Sequence, residues 1–191
     1  MDTTYEGSAD DGILRPINWN LLTAEEAESE WLDLNAWVDW LRYTYGLQPA
    51  IIPPLWHRHD ELVWELSALH IAWLNAYDPD APPGAPLAWH REFAEARHRL
   101  REWVSACGTR IDRDRPTRGA AWPGEGPAAT PVEQPIHDRN ADFERFVHED
   151  LTRRQQVENE ARSVADELAK NLIDRLGDTS SERSGWRLGH P

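Results

Sequence analysis

The stretch from Pro54 to Tyr77, PLWHRHDELVWELSALHIAWLNAY, predicts a helix with apolar residues on two opposite faces. The first face carries Leu62, Leu66, Leu69, Trp73 and Tyr77, and the second carries Trp64, Ala68 and Ile71. A helix that is apolar on both sides is usually buried between neighbours, so we expect this one to lie at the centre of the fold. It should begin near His59 or Asp60 and stop before the Asp78-Pro79 pair.

Two further helices are predicted on either side of this central one. Thr23 and Glu26 form a capping-box pattern, which predicts a first helix that ends at Gly46. A third helix is expected from about Pro86 to Cys107, followed by Gly108 as its cap. Short connections between the three helices favour antiparallel packing around the tryptophans.

The fold class predicted for the whole chain of 191 residues is all-α. The expected parts are a flexible tail (1–16), a Trp-rich three-helix bundle (17–108), an extended Pro/Gly/Arg-rich arm or linker (109–139), a long helix (140–177) and a disordered tail (178–191). The long helix either forms a coiled coil with a second copy, as in a homodimer, or bends back over the bundle. Three polar residues interrupt its apolar stripe at four-residue spacing: Asp150, Arg154 and Glu158.

Composition excludes several classes of protein. The chain has no apolar run of membrane-spanning length, and its acidic start does not resemble a signal peptide, so we expect a cytoplasmic protein. A net charge of −14 argues against direct nucleic-acid binding and leaves an acidic DNA mimic as one alternative. Cys107 is the only cysteine, so one chain can form neither a disulfide nor a multi-cysteine zinc site.

The histidines near Pro54 are the strongest candidates for chemistry. His57 and His59 lie two positions apart, and in an extended segment both side chains would face the same side. Together with His90 they would supply three ligands for zinc or another divalent metal. The alternative is structural, with Trp56 packing inward and His59 or Asp60 capping the central helix. The sequence contains no nucleophile elbow, phosphate loop or H-E-x-x-H motif, so an enzyme is not the expected class, and no cofactor is implied.

Protein contact is the better supported mode of action. Trp37 and Trp40 fall off the apolar stripe of the first helix, and exposed tryptophans are common interface anchors. Arg110, Arg113, Arg115 and Arg118 form the one locally basic run. These arginines either bind an acidic partner or pair internally with Asp112 and Asp114, and internal pairing is the favoured interpretation.

Several segments resemble a known group of proteins: WLDLNAWVDWLRYTYGL, PPLWHRHDELVWELSALHIAWL, WVSACGTRIDRDRPTR and AWPGE. They resemble a Trp-rich family, carrying a domain of unknown function, from actinobacterial plasmids, phages and integrative conjugative elements. The resemblance runs from about Asn18 to Glu125. It implies a mobile-element setting near replication or conjugation genes, and it carries no activity or catalytic residue. We therefore expect an accessory or adaptor protein that acts by protein–protein interaction. The alternatives are a metal-binding module or metal-dependent enzyme around His57 and His59, and the acidic DNA mimic.

Overall fold

A computed structural model describes residues 15–117, 121–126 and 132–184 of the chain, with side chains as far as residue 173. Its regular elements are α1 (Ala24–Tyr45), a 3₁₀ turn (Trp56–Arg58), α2 (Asp60–Ala76), α3 (Ala85–Cys107), β1 (Arg113–Asp114), β2 (Gln134–Pro135) and α4 (Arg139–Ser184). The described chain is therefore mostly helical, as predicted. None of its helices is long and apolar enough to cross a membrane.

The predicted ends of α1 are confirmed. The backbone N–H of Glu26 donates to the Thr23 hydroxyl at 3.2 Å, and the backbone N–H of Thr23 donates to the Glu26 carboxylate at 2.8 Å. This reciprocal pair satisfies two backbone groups that a helix start would leave unpaired. At the other end Gly46 adopts φ 59°, and its N–H donates to the carbonyl of Arg42. Residues with a Cβ rarely adopt this left-handed conformation, which explains the glycine.

The central helix α2 is preceded by the 3₁₀ turn, in which Trp56 is almost fully buried, as expected for its inward packing. His59 occupies the N-cap position of α2, but its side chain makes no capping hydrogen bond. α2 contacts both α1 and α3, and the α2–α3 contact is the more extensive. Leu62, Leu66 and Leu69 of the first predicted face are buried, but the second face is not covered: Trp64 is 39% exposed, Ala68 is exposed and Ile71 is half-buried. The prediction that α2 is buried on both faces is therefore wrong for the second face.

Two groups of aromatic side chains form much of the core and its edge, with Trp40 and Tyr77 at the surface. Trp19, Trp31, Trp56, Phe143 and Phe146 lie at one end of the helices; the indoles of Trp19 and Trp31 are 4.2 Å apart. Trp37, Trp40, Tyr45, Trp73, Tyr77, Trp89 and Phe93 lie at the other end. Aromatic pairs at these separations stabilise a core beyond the area that they bury.

The predicted three-helix bundle is incomplete, because α4 supplies part of the core. Phe143 and Val147 of α4 are buried in the same cluster as the residues of α1 and α2. α4 packs on α1, and its polar residues hold the start of α1 through long-range hydrogen bonds. The stripe on the first part of α4 therefore faces the chain's own core.

The predicted boundaries of the long helix need correction. α4 has 46 residues, which corresponds to a length of roughly 69 Å at 1.5 Å per residue. It continues through Gly177 to Ser184, since an isolated glycine costs a helix only about 1 kcal/mol and no proline lies between these two residues. Residues 178–184 of the predicted disordered tail are therefore helical. Residues 1–14 and 185–191 of the predicted tails lie outside the described residues.

The arm predicted at 109–139 is partly folded. β1 and β2 pair in antiparallel register, with Arg113 opposite Pro135 and Asp114 opposite Gln134. This two-residue ladder is the one departure from an all-helical structure among the described residues. Thr109 and Asp114 are buried, so the start of the arm belongs to the folded unit.

Candidate functional site

The three histidines predicted as metal ligands do not come together. His57 pairs with Asp142 of α4, whereas His59 pairs with Asp114 of β1. His90 lies on the surface of α3, where its ring nitrogens contact the Pro86 carbonyl and the Tyr45 hydroxyl. The reason is local geometry: the segment forms a 3₁₀ turn rather than a strand, and three residues per turn direct side chains two positions apart to different sides.

His57 instead joins the 3₁₀ turn to α4. Its side chain is fully buried, its ring packs against Phe143 and Phe146, and its Nε2 lies 3.0 Å from the Asp142 carboxylate. Arg58 donates two further hydrogen bonds to Asp142, at 2.7 and 2.8 Å. The sequence interpretation found no structural role for His57; the structure supplies one.

Burial keeps the His57 ring neutral. Burial lowers the pKa of His57 to about 4, against the opposing effect of Asp142, and the nearby Arg58 and Arg139 guanidinium groups lower it further. Burial raises the pKa of Asp142, but the hydrogen bonds from Arg58 and His57 outweigh it and bring that pKa to about 2. His57 Nδ1 is buried without a hydrogen-bond partner, as suits a nitrogen that carries no proton.

His59 lies at the centre of a different polar cluster. Among the described residues, His59, Glu61 and Cys107 form the one group whose potential ligand atoms all lie within 4.8 Å of one another. His59 and Glu61 come from the start of α2, and Cys107 is the last residue of α3. His59 and Cys107 are buried, and Glu61 is largely covered.

The beginning of the arm closes over this cluster. Asp114 accepts a hydrogen bond from His59 Nε2 at 2.8 Å and a second from the Thr109 hydroxyl at 3.0 Å. The Thr117 hydroxyl donates to Glu61 at 2.7 Å and lies 3.2 Å from His59 Nδ1. Since a hydroxyl has a single proton to donate, Nδ1 must donate to Thr117, and His59 is then an imidazolium. Burial lowers the pKa of His59, but the hydrogen bonds to Asp114 and Cys107 outweigh it and raise that pKa to about 9.

The predicted tryptophan pair is split between core and surface. Trp37 is only 5% exposed, and its indole stacks on the His70 ring at a centroid distance of 4.8 Å. It therefore cannot be part of a contact surface. Trp40 is 39% exposed and packs against Trp73, so it is the member of the pair that reaches solvent.

The basic run pairs mainly within the chain. Arg113 contacts Asp112 at 3.6 Å and Glu133 at 3.4 Å, and Arg115 contacts Glu133 at 3.3 Å. Asp114, predicted as a partner for these arginines, is bound to His59 instead. Arg110 is exposed, and Arg118 lies outside the described residues.

The three residues that interrupt the stripe of α4 form a polar clamp on α1. Asp150 accepts a hydrogen bond from the Trp31 indole at 3.1 Å and another from Arg154 at 2.8 Å. Arg154 donates to the carbonyls of Trp19 and Leu22, both at 2.9 Å. Glu158 accepts from the backbone N–H of Ala24, at the positive end of the α1 dipole. The four-residue spacing of these three polar residues places them in one row along α4, and this row faces the start of α1.

Beyond this clamp α4 presents an apolar face to solvent. Val157, Val164, Leu168 and Leu172 are between 57% and 65% exposed. With Ala161, these residues follow spacings of four and three, which places them along one side of the helix. We call this row (157, 161, 164, 168 and 172) the apolar seam.

Comparisons with family models, with curated proteins and with solved structures each find no match for this chain.

Proposed function

We propose that the protein is a non-enzymatic adaptor that acts by protein–protein contact and associates with a second copy of itself through the apolar seam of α4. The observation that carries this proposal is the row of exposed apolar side chains beyond the polar clamp. The proposed setting, an actinobacterial mobile genetic element, rests on the resemblance of residues 18–125 alone.

The spacing of the seam suits a helix pair. Its spacings are four, three, four and four, so residues 157 to 168 follow the alternation of four and three that is typical of two helices that wrap around each other, and Leu172 lies one position beyond it. From Val157 to Leu172 the seam spans roughly 24 Å at 1.5 Å per residue. Charged and small residues flank it, among them Glu160, Arg162 and Lys170, as at the margins of coiled coils.

Anchoring of α4 favours this association. An isolated helix is only marginally stable in water, because its first turn is costly to form. Here the seam continues a helix that is already fixed to the bundle by Phe143, Val147 and the polar clamp. The helical conformation is thus in place before a second copy binds, so less conformational entropy is lost on association.

A second contact surface is proposed around Trp40 and Arg110, which are the exposed, described members of the predicted set. Trp40 lies on α1 and Arg110 follows α3, so neither residue belongs to the helix that carries the seam. A partner protein could therefore bind there while α4 holds the two copies together.

The double substitution Val164→Glu/Leu168→Glu is expected to convert a dimer into a monomer. Each copy would place two carboxylates in the seam, and burial of unpaired charge is strongly unfavourable. Sedimentation velocity on the full-length chain over a range of concentrations measures the change in mass.

Asn159→Glu/Ser163→Glu is the matched control, because it adds the same charge on the side of α4 away from the seam. This variant should sediment as the wild type does. A wild-type protein that stays monomeric at its highest soluble concentration, or a control that dissociates equally, would contradict self-association through the seam.

A further inference from the structure

We propose that His59, Glu61 and Cys107 bind a single Zn²⁺-class metal ion, which links the start of α2 to the end of α3 beneath the start of the arm. This site lies at a different place from the apolar seam, and it differs from the histidine set that the sequence suggested. The inference goes beyond the proposed adaptor function and does not depend on it.

The donor set identifies the class of ion. An imidazole nitrogen, a thiolate sulfur and a carboxylate oxygen are the three ligand types that Zn²⁺ uses in proteins. Mg²⁺ and Ca²⁺ prefer oxygen ligands alone, so the cysteine argues against them. The ligand residues come from separate helices, and an ion would therefore crosslink the start of α2 to the end of α3.

The three ligand atoms need to move only a short way towards one another to reach the spacing of a zinc site. In tetrahedral zinc sites, ligand atoms are roughly 3.3–3.6 Å apart, as the usual zinc–ligand bond lengths dictate. His59 Nδ1 and the nearer Glu61 oxygen are 3.9 Å apart, and the three ligand atoms all lie within 4.8 Å of one another. Rotation of the Glu61 side chain can shorten its distance to His59 Nδ1, and rotation of the Cys107 thiol about χ1 can shorten the distances to sulfur.

The hydrogen bond from His59 to Asp114 is the second observation that points to a metal. Histidines that bind metals commonly donate their other ring N–H to a carboxylate, which fixes the ring and the tautomer. Asp114 is placed in this way: it holds Nε2 at 2.8 Å, and the Thr109 hydroxyl holds Asp114 in turn. The other ring nitrogen, Nδ1, faces Glu61, and it is this nitrogen that would bind the ion.

Thr117 marks the position of the ion. Its hydroxyl lies between His59 Nδ1 and the Glu61 carboxylate, bridging two groups that an ion would bind directly. On binding, the Nδ1 proton and the Cys107 thiol proton leave to solvent, and the metal forms bonds to nitrogen, sulfur and oxygen. The Thr117 hydroxyl or a water molecule then completes four-coordination.

Cobalt(II) titration of the full-length, untagged protein tests the proposal. Co²⁺ replaces Zn²⁺ in such sites and gives a thiolate charge-transfer absorption when sulfur is bound. Because Cys107 is the only cysteine, a band at one equivalent of Co²⁺ reports this residue without any substitution. We expect the band to appear at one equivalent and to disappear when Zn²⁺ is added. Absence of a thiolate band in the folded wild type would overturn the proposal.

Three variants locate the ligands. Cys107→Ser should abolish the band, and Asp114→Asn should weaken Co²⁺ binding by about 10- to 100-fold, since it removes the carboxylate that orients His59. His98→Gln, on the exposed face of α3, is the matched control and should bind Co²⁺ as the wild type does. Zn²⁺ should also protect the wild-type Cys107 thiol from alkylation, a readout that remains if a variant does not fold. A thiol alkylated at the same rate with and without Zn²⁺ would count against the site.

Discussion

Replacement of Asp150 by alanine is expected to lower the free energy of unfolding by about 3 kcal/mol, because it leaves the buried Trp31 indole N–H without its acceptor and removes the counter-charge of the partly buried Arg154. Asp150 is 4% exposed and accepts hydrogen bonds from Trp31 and Arg154. The Asp150 pKa supports a charged carboxylate: burial raises it, but hydrogen bonds from Arg154 and Trp31 outweigh that effect and lower it. The lost stability should come from the contact between α1 and α4.

Urea denaturation followed by tryptophan fluorescence measures this change, because Trp31 is itself a donor to Asp150. Asp166→Ala is the matched control: the same substitution on an exposed part of α4, where we expect a change within about 0.5 kcal/mol. Asp150→Asn should lie between the two, since the amide oxygen still accepts from Trp31. Equal stabilities for Asp150→Ala and the control would show that the clamp contributes nothing.

Acidification from pH 6.5 to pH 4 is expected to reduce the free energy of unfolding by about 2–3 kcal/mol through His57. The folded-state pKa of His57 is about 4, below its ordinary value of 6.5. Between these values the unfolded chain binds a proton that the folded chain does not, so stability falls as the pH falls. The facing charges are Asp142 and Arg139 on α4 and Arg58 on the 3₁₀ turn. Asp142, with a pKa of about 2, stays ionised throughout this window.

Urea denaturation at a series of pH values provides the measurement. His57→Gln should remove most of the slope between pH 6.5 and pH 4, since glutamine does not titrate. Burial also lowers the pKa of His70, so His70 acts in the same direction. A smaller dependence of the unfolding free energy on pH should therefore remain in the His57→Gln variant. His98→Gln should keep the full slope, because His98 is exposed. A His57→Gln profile parallel to that of the wild type would show that His57 is not held neutral.

Local patterns in the sequence were sufficient to predict the helices. Thr23, Glu26 and Gly46 act on backbone groups within a few residues of themselves, so the ends of α1 could be predicted without knowledge of the rest. Leu62, Leu66 and Leu69 on the first apolar face of α2 are buried as predicted, whereas Trp64 and Ala68 on the second face lie at the surface. The end of the long helix was predicted at Gly177 because a glycine follows both α1 and α3. In α4, however, Gly177 lies within the helix.

The candidate sites depend on contacts that no local pattern encodes. His59 meets Asp114 across 55 residues and His57 meets Asp142 across 85. The sequence placed His57 and His59 side by side, whereas the 3₁₀ turn directs one to α4 and the other to the arm. Cys107 looked like the end of an apolar stripe, and its burial agrees with that; its proximity to His59 and Glu61 requires the folded chain. The metal site proposed from the structure therefore has one histidine, one glutamate and one cysteine as ligands, in place of the three histidines that the sequence suggested.

The docking of α4 on α1 has a consequence for synthesis of the chain. Arg154 and Asp150 follow Ala24 and Trp31 by more than a hundred residues. At the usual rate of roughly 5–20 residues per second, a ribosome needs on the order of ten seconds to produce the segment between them. During that time the face of α1 that bears Trp31, and the adjoining Trp19, lack their covering helix. The nascent chain thus displays an aromatic surface that the finished protein hides, and exposed apolar surface of this kind is prone to aggregation until it is covered.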